Sequence, residues 1–292
     1  MIDQFLRYLR NEKNRSENTI QRYELPLRDF EDFFRTMDGG LDWTTVDSDV
    51  IRSWMEHQMD QGYTASTVNT NLAAVRSLFR FALRRKLVPK DPAHRVAGLK
   101  KPKVLPCFVR ENDMDRLLDE EHWTDSYKDV RARTIIILLY ETGLRCGELV
   151  GLDNNDVDFD AMRLKVTGKR NKQRIIPFGE EVAEQLKRYI EVRDEAVDRQ
   201  CDALFLNMHG QRISSGQVYI DVKENLSKVT MMKKRSPHVL RHSFATAMLN
   251  HNAGLESVRQ LLGHESLETT QIYTHTTFEQ LKRVYKETHP RG

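Results

Sequence analysis

The sequence predicts a mainly α-helical protein of two domains, with a small β-hairpin or sheet in the second, an α+β class. Apolar residues recur at helical spacing through most of the chain, whereas residues 163–178 alternate with a period of two around a Gly-Lys turn. A basic segment with two prolines, around residues 99–108, reads as a linker between residues 1–98 and 109–292. At 292 residues, each domain can bury a core of its own.

Composition excludes several classes of protein. Charged residues make up 30% of the chain and the longest apolar run is Thr134 to Tyr140, far short of a membrane span. No apolar signal segment follows Met1, so we expect no membrane association and a cytoplasmic location. The three cysteines are odd in number and far apart, which suits a reducing compartment better than a disulfide framework.

Positive charge is concentrated in one stretch although the net charge is only +3. Residues 1–63 hold eight Lys and Arg against thirteen Asp and Glu, whereas residues 64–104 hold ten basic residues against Asp91 alone. Such a stretch is typical of a surface that binds a phosphate backbone. The alternative is a solvated helix face, for which the lack of interleaved acids is unusual.

The first domain reads as helices throughout. An opening amphipathic segment holds Phe5, a longer one spans residues 20–34 despite Pro26, and a third can be capped by Ser48. The longest begins at Thr64 or Ser66. Three arginines recur along it at i+4, which predicts a basic stripe opposite its core face: Arg76, Arg80 and Arg84.

The second domain reads as helices around one hairpin. Helical patterns over 112–119 and 129–140 lead into a turn that ends at Arg145 and then into 147–152. Strands over 163–167 and 173–178 enclose a turn with Lys169 at its tip, and 180–200 is a charged helix. Six basic residues of this hairpin have no acidic neighbour across it: Arg163, Lys165, Lys169, Arg170, Lys172 and Arg174.

The segment 236–275 presents polar side chains from helix ends. Ser236 and Pro237 are a helix start that places His238 and Arg241 three residues apart on one face. Gly263 ends the next helix, His264 follows it directly, and Ser266 can cap a short helix carrying Tyr273. Taken singly, each side chain has an ordinary structural explanation, such as a core tyrosine.

Together the candidate residues favour phosphodiester chemistry: Arg145, Lys169, His238, Arg241, His264 and Tyr273. The sequence lacks a Walker loop, a dinucleotide glycine pattern and a paired-carboxylate motif. His238 and His242 have metal-ligand spacing, but Arg241 lies between them and no acid is nearby to balance a dication. Arginines suit a phosphate whose oxygens gain charge in the transition state, and a positioned tyrosine can act as nucleophile. We therefore expect neither a cofactor nor a metal.

These residues stand in motifs that resemble the tyrosine recombinase (integrase) family over essentially the whole chain, closest to its Xer-type members. The motifs are TGLRCGEL, TGKRNKQRIIP, PHVLRHSFAT, LLGHES and TTQIYTH. The resemblance implies that Tyr273 attacks the phosphate to form a 3′-phosphotyrosyl link, while Arg145 and Arg241 hold it with help from His264. It also implies that Lys169 protonates the leaving 5′-oxygen and His238 assists proton transfer. Lys172, three residues on, is an alternative to Lys169.

The same resemblance implies a helical core-binding (SAM-like) domain and a catalytic domain that form a C-shaped clamp on double-stranded DNA at a specific site. Implied partners are a homotetramer, or a heterotetramer with a second recombinase. An accessory activator protein is a further candidate. The tail, residues 277–292, could dock on a neighbouring protomer or pack in cis. Alternatives are type IB topoisomerase-like relaxation and a catalytically silent DNA-binding protein. Expected DNA contacts are Arg76, Arg80, Arg84, Lys100, Lys101, Arg170, Lys172, Lys234 and Arg235.

Overall fold

A computed structural model of the chain describes residues 1–37, 42–101, 107–168, 171–263, 285 and 287–289, without the side chains of Glu120 and Leu255. The chain divides into two compact units, Met1–Val104 and Leu105–Gly292. This division falls within the linker that the sequence predicts at 99–108. No helix in the described ranges has the length and apolar character needed to cross a bilayer.

The first unit is helical, as predicted. Its helices are α1 (Ile2–Asn11), α2 (Glu17–Arg35), α3 (Ser48–Asp60) and α4 (Ala65–Arg84). Thr64 caps α4 by accepting the N–H of Thr67 at 3.2 Å, as one of the two predicted starts required. Helix α3 is capped by the carboxylate of Asp47, one residue before the predicted Ser48, because Asp47 accepts the N–H groups of Asp49 and Val50.

The start of the predicted linker belongs to the first unit. Asn69 on α4 accepts the N–H of Leu99 at 2.7 Å and donates to the Leu99 carbonyl at 2.8 Å. Leu99 also packs against the core of that unit, and Arg76 donates to the carbonyl of Val96. The ordered chain therefore continues past residue 98, held by polar side chains of α4.

The second unit is mainly helical around a small sheet. Its helices are α5 (Glu111–Leu118), α6 (Tyr127–Thr142), α7 (Cys146–Val150), α8 (Glu180–Ala196), α9 (Ser215–Val229), α10 (Pro237–Asn250) and α11 (Leu255–Leu262). Its strands are β1 (Val157–Asp158), β2 (Arg163–Thr167) and β3 (Gln173–Pro177), antiparallel in the order β1-β2-β3. The predicted hairpin is confirmed, with Leu164 and Val166 on its buried face. Strand β1 and helix α9 are additions that the sequence patterns did not predict.

Among the described residues of the hairpin, Arg163 and Arg174 have acidic partners. Arg163 pairs with Asp158 of β1 at 2.9 Å, and Arg174 pairs with Glu148 of α7 at 2.8 Å. Neither acid lies on the facing strand of the hairpin, so the hairpin sequence alone does not reveal these partners. The basic character of the hairpin therefore falls on fewer side chains, among which Lys165 and Lys172 are exposed.

Helix α6 is the central helix of the second unit. It is buried from Val130 to Thr142, and α8, α9 and α10 all pack on it. Gly143 ends it in the left-handed conformation at a φ of 62°. A Cβ there would lie 2.5 Å from a ring carbon of Phe244 on α10, so only glycine lets the chain turn at this close contact.

The described part of the tail packs within its own chain. The Tyr285 hydroxyl donates to Glu141 of α6 at 2.8 Å, and the Tyr285 ring stacks on His289 with centroids 5.2 Å apart. His289 in turn stacks on Phe244. Burial, together with the charge of Glu141, raises the pKa of Tyr285 well above its ordinary value. Docking of the tail on a neighbouring protomer stays a prediction.

Candidate active site

Arg145 occupies the turn between α6 and α7, where it is the N-cap residue of α7. Its backbone N–H donates to Glu148 Oε2 at 2.9 Å, and its guanidinium Nη1 donates to Glu148 Oε1 at 2.8 Å. Glu148 is therefore the third-position acid that often caps a helix start, and it fixes both ends of Arg145. The Arg145 side chain stays 34% exposed, so part of the guanidinium is open to a ligand.

Arg241 reaches the same place from the first turns of α10 and is only 7% exposed. Its Nη1 donates to the carbonyl of Gly143 at 2.5 Å and its Nη2 to the carbonyl of Leu262 at 2.6 Å. Burial, and next the positive charge of Arg145, lowers the pKa of Arg241 to about 10. A guanidinium with that pKa is still protonated at neutral pH.

The carboxyl end of α11 collects three arginines. Leu261, Leu262 and Gly263 present successive carbonyls, and these accept hydrogen bonds from Arg174 Nε at 3.3 Å, Arg241 Nη2 at 2.6 Å and Arg145 Nη2 at 3.1 Å. The last carbonyls of a helix lack partners within it and carry the negative end of its dipole, which explains why cations gather there. We call these three side chains the arginine cluster.

Glu148 is the acid at the centre of this cluster and is 6% exposed. Arg174 from β3 donates Nη1 to its Oε1 and Nη2 to its Oε2, both at 2.8 Å. Burial raises the pKa of the Glu148 carboxyl, but the hydrogen bonds and charge of Arg174, and then the contacts with Arg145, outweigh it and lower the pKa to about 2. Glu148 is thus a carboxylate throughout the physiological range.

The structure brings together Arg145 and Arg241 of the six predicted site residues. His238 lies on α10 with Arg241, but it is exposed whereas Arg241 is buried. Lys169, His264 and Tyr273 lie outside the described residues, as do Arg170 and Ser266. Lys172 is exposed beside the hairpin tip, so the choice between Lys169 and Lys172 stays open.

The predicted DNA contacts divide by environment. Arg80, Lys100, Lys101 and Lys234 are exposed, whereas Arg76 and Arg235 are half-buried. The stripe along α4 is therefore not uniformly solvent-facing, since Arg76 donates to Val96 of its own unit. Arg84 is exposed, lies over the ring of Tyr8 at 5.8 Å and donates to its hydroxyl at 3.1 Å.

Sequence reasoning did not assign a role to Glu148 or Arg174. The signal for Arg174 was present, because strand alternation puts it on the same face as the buried Ile176. The signal for Glu148 was its position three residues after the residue that begins α7. Among the described residues, no group of three or more His, Cys, Asp or Glu side chains is arranged to hold a metal.

Comparisons with known proteins identify the family of this chain. The family model "Phage integrase family" matches residues 108–280, and the model "Phage integrase, N-terminal SAM-like domain" matches residues 2–86. Tyrosine recombinase XerC of Pelotomaculum thermopropionicum is 39% identical over 301 residues, covering 100% of this chain and 98% of the relative. Tyrosine recombinase XerD of Staphylococcus aureus is 35% identical over 297 residues, covering 100% and 99%.

Solved structures share the fold. The XerH site-specific recombinase, bound to a palindromic difH substrate in a post-cleavage complex, aligns with a TM-score of 0.72 at 22% identity, over 97% of this chain and 83% of that one. The Tn1549 transposon integrase, in complex with transposon right end DNA, aligns with a TM-score of 0.73 at 19% identity, over 97% and 98%. This chain belongs to the phage integrase family of tyrosine recombinases. Its named relatives do not favour the topoisomerase alternative.

Proposed function

We propose that the protein is a site-specific DNA recombinase that cuts and rejoins double-stranded DNA through a 3′-phosphotyrosyl intermediate. The observation that carries this proposal is the meeting of Arg145 and Arg241 at the end of α11, from elements almost a hundred residues apart. One guanidinium is buried and the other is half-exposed, so together they form a rigid cationic binding site with an open side. We call this site of Arg145 and Arg241 the phosphate seat. A scissile phosphate fits that seat.

The nucleophile in this proposal is Tyr273. A phenol with an ordinary pKa near 10 attacks poorly unless cations or a base position it. Gly263 carries the Arg145 contact and lies ten residues before Tyr273, so the chain that leads to the tyrosine leaves directly from the phosphate seat. The tyrosine oxygen bonds to phosphorus, the bond from phosphorus to the 5′-oxygen breaks, and the link conserves the energy for rejoining without ATP.

The remaining predicted residues take the proton-transfer and binding roles. We assign protonation of the leaving 5′-oxygen to Lys169, with Lys172 as the alternative, and proton transfer at the tyrosine to His238. The exposure of His238 leaves its imidazole accessible to a bound strand. His264 follows Gly263 in the chain and completes the phosphate contacts.

The proposed substrate is duplex DNA carrying a specific recombination site. Exposed cations of the first unit supply phosphate contacts, which position the protein without reading sequence. Strand exchange between two duplexes needs four subunits, so we propose a tetramer of this chain, or one shared with a second recombinase, in the cytoplasm.

A suicide-substrate assay tests the proposed function. Nicked duplexes with candidate sites are incubated with the protein in EDTA and resolved on a denaturing gel. We expect a covalent protein–DNA band with wild-type protein and none with Tyr273→Phe, while both bind the duplex equally. Binding without a covalent band, on sites that the protein protects, would instead favour the silent or activator-dependent alternative.

A further inference from the structure

Arg174 lies at a junction that the proposed chemistry does not use. It lies on β3, one residue after the residue that pairs with Thr167 of β2. Its side chain is 9% exposed. Its three guanidinium nitrogens all have partners: Nη1 and Nη2 bind the two oxygens of Glu148, and Nε binds the Leu261 carbonyl. Because the side chain is buried and each of its nitrogens already donates to a protein acceptor, Arg174 is not placed to receive a phosphate, so any role it has acts through its neighbours.

Arg174 affects the charge balance around Glu148. Glu148 accepts from Arg145 and from Arg174 on the same oxygen, Oε1, each at 2.8 Å. If Arg145 were the only cation beside the buried Glu148 carboxylate, the two would form a simple ion pair, and the positive charge of Arg145 would be neutralised locally. Arg174 supplies the counter-charge instead, so Arg145 and Arg241 can face a phosphate with their full positive charge.

Arg174 also affects the geometry at the end of α11. Gly263 sits in the left-handed conformation, and a Cβ on it would lie 3.1 Å from Cδ and Nε of Arg174. The Arg174 side chain is thus packed directly under the turn from which the chain continues to His264. The same arginine joins the hairpin that carries Lys169, the α7 start that carries Arg145, and the end of α11.

We propose that Arg174 is a positioning residue for phosphodiester cleavage: it balances Glu148 so that the charge of Arg145 is directed at the phosphate, and it fixes the end of α11. This rests on the proposed function. It adds to that function a residue that strengthens phosphate binding through Glu148 and through the end of α11.

The test compares four proteins in a single-turnover cleavage assay: wild type, Arg174→Met, Glu148→Gln, and the double variant. Arg174→Met is expected to slow cleavage by about 100-fold, the size of losing one preorganised transition-state contact. The double variant restores the net charge of the cluster. It is expected to cleave about 10-fold faster than Arg174→Met, because the effects of substitutions at two residues in contact do not simply add. A residue that only fills space would give no such rescue.

Arg163→Met is the matched control, since Arg163 lies on the neighbouring strand of the same hairpin and pairs with the half-exposed Asp158. It is expected to stay within about twofold of wild type. Arg174→Met cleaving as fast as this control, or a double variant no faster than Arg174→Met, would overturn the proposal. If Arg174→Met does not fold, Arg174→Lys is compared with Arg163→Lys under the same criterion, with a loss of about 10-fold expected because lysine cannot bind both oxygens of Glu148.

A second readout separates this proposal from the proposed function. Thermal midpoints of the same four proteins report the contact between Arg174 and Glu148 without any cleavage, and the double variant should lose less than the sum of the single losses. A wild-type protein that makes no covalent adduct would contradict the proposed function alone. Additive midpoint losses would contradict the Arg174 proposal alone.

Discussion

Arginines on α4 of the first unit and arginines of the cluster in the second unit stand in different environments. On α4 of the first unit, Arg80 and Arg84 are exposed. Arg85, which directly follows α4, pairs with Glu12 at 2.6 Å with both side chains more than half exposed. In the second unit, Arg174 and Arg241 are buried, and the arginine cluster makes hydrogen bonds of 2.5–3.3 Å to carbonyls and to Glu148.

The difference separates two uses of the same side chain. An exposed arginine acts as a charge whose exact place matters little, and salt screens it. A buried arginine acts as a fixed fork whose geometry matters, because neither water nor another rotamer can replace its contacts. We therefore expect α4 to govern affinity and the arginine cluster to govern the cleavage rate.

The largest expected effect is that of Arg241→Lys. Lysine cannot bridge the Gly143 and Leu262 carbonyls as the guanidinium does, and the cleavage rate should fall by about 10²- to 10³-fold with little change in DNA affinity. Single-turnover cleavage and gel retardation measure the two quantities. The control is Arg259→Lys on α11, because Arg259 is half-exposed and pairs with Glu256. Equal losses of cleavage rate in the two variants would contradict the distinction between buried and exposed arginines.

Next in size is the pH dependence of stability that Glu148 confers. Its pKa is about 2 in the folded protein against an ordinary 4.5, so its contribution is complete above pH 4.5 and is lost as the pH falls towards 2. Relative to Glu148→Gln, wild type should lose at most about 2 kcal/mol between pH 6 and pH 3, since solvent screens part of the shift. Urea denaturation of both proteins measures it, and a pH-independent difference would contradict the carboxylate's role.

A smaller effect is expected from Arg80→Gln on α4. Loss of one phosphate contact should weaken DNA binding several-fold and reduce the slope of log affinity against log salt by about 0.9. Cleavage of the bound complex should not change. Arg52→Gln on α3 of the same unit, where Arg52 is exposed and pairs with Asp49, is the control. A changed cleavage rate with an unchanged salt slope would contradict the assignment of Arg80 to DNA affinity.

The smallest effect belongs to the surface pair of Glu12 and Arg85. Glu12→Gln should change the free energy of unfolding by less than about 0.5 kcal/mol, because both partners are solvated. Denaturation in low and high salt measures it. A loss as large as that in Glu148→Gln would mean that exposure does not separate the two groups of charges.

Local features were the part of the fold that the sequence could predict. The hairpin strands were predictable because period-two alternation puts Leu164 and Val166 on one face, and Gly263 was predictable as a helix end. Helix α9 was missed although Val218, Val222 and Leu226 recur at i+4, since such a narrow stripe is hard to separate from a loop. Strand β1 has two residues, too few for any period.

The site was predictable as a set of residues but not as a network. Arg145 and Arg241 stood out by their motifs, whereas the bond between Glu148 and Arg174 joins a helix start to a strand 26 residues later. Only the tertiary fold brings the side chains of α7 and β3 together. The convergence of three arginines on one helix end has no local signal either, because backbone carbonyls are the acceptors and every residue has one.

The most direct test of the account is to map the residue to which DNA becomes attached. Adduct from a suicide substrate is digested with nuclease and trypsin and analysed by mass spectrometry. The peptide between Arg259 and Lys282 contains one tyrosine, Tyr273, so its modification is unambiguous. We predict nucleotides joined through a 3′-phosphate to that peptide alone. Attachment to another tyrosine, or a nucleotide joined through its 5′-phosphate, would contradict the account.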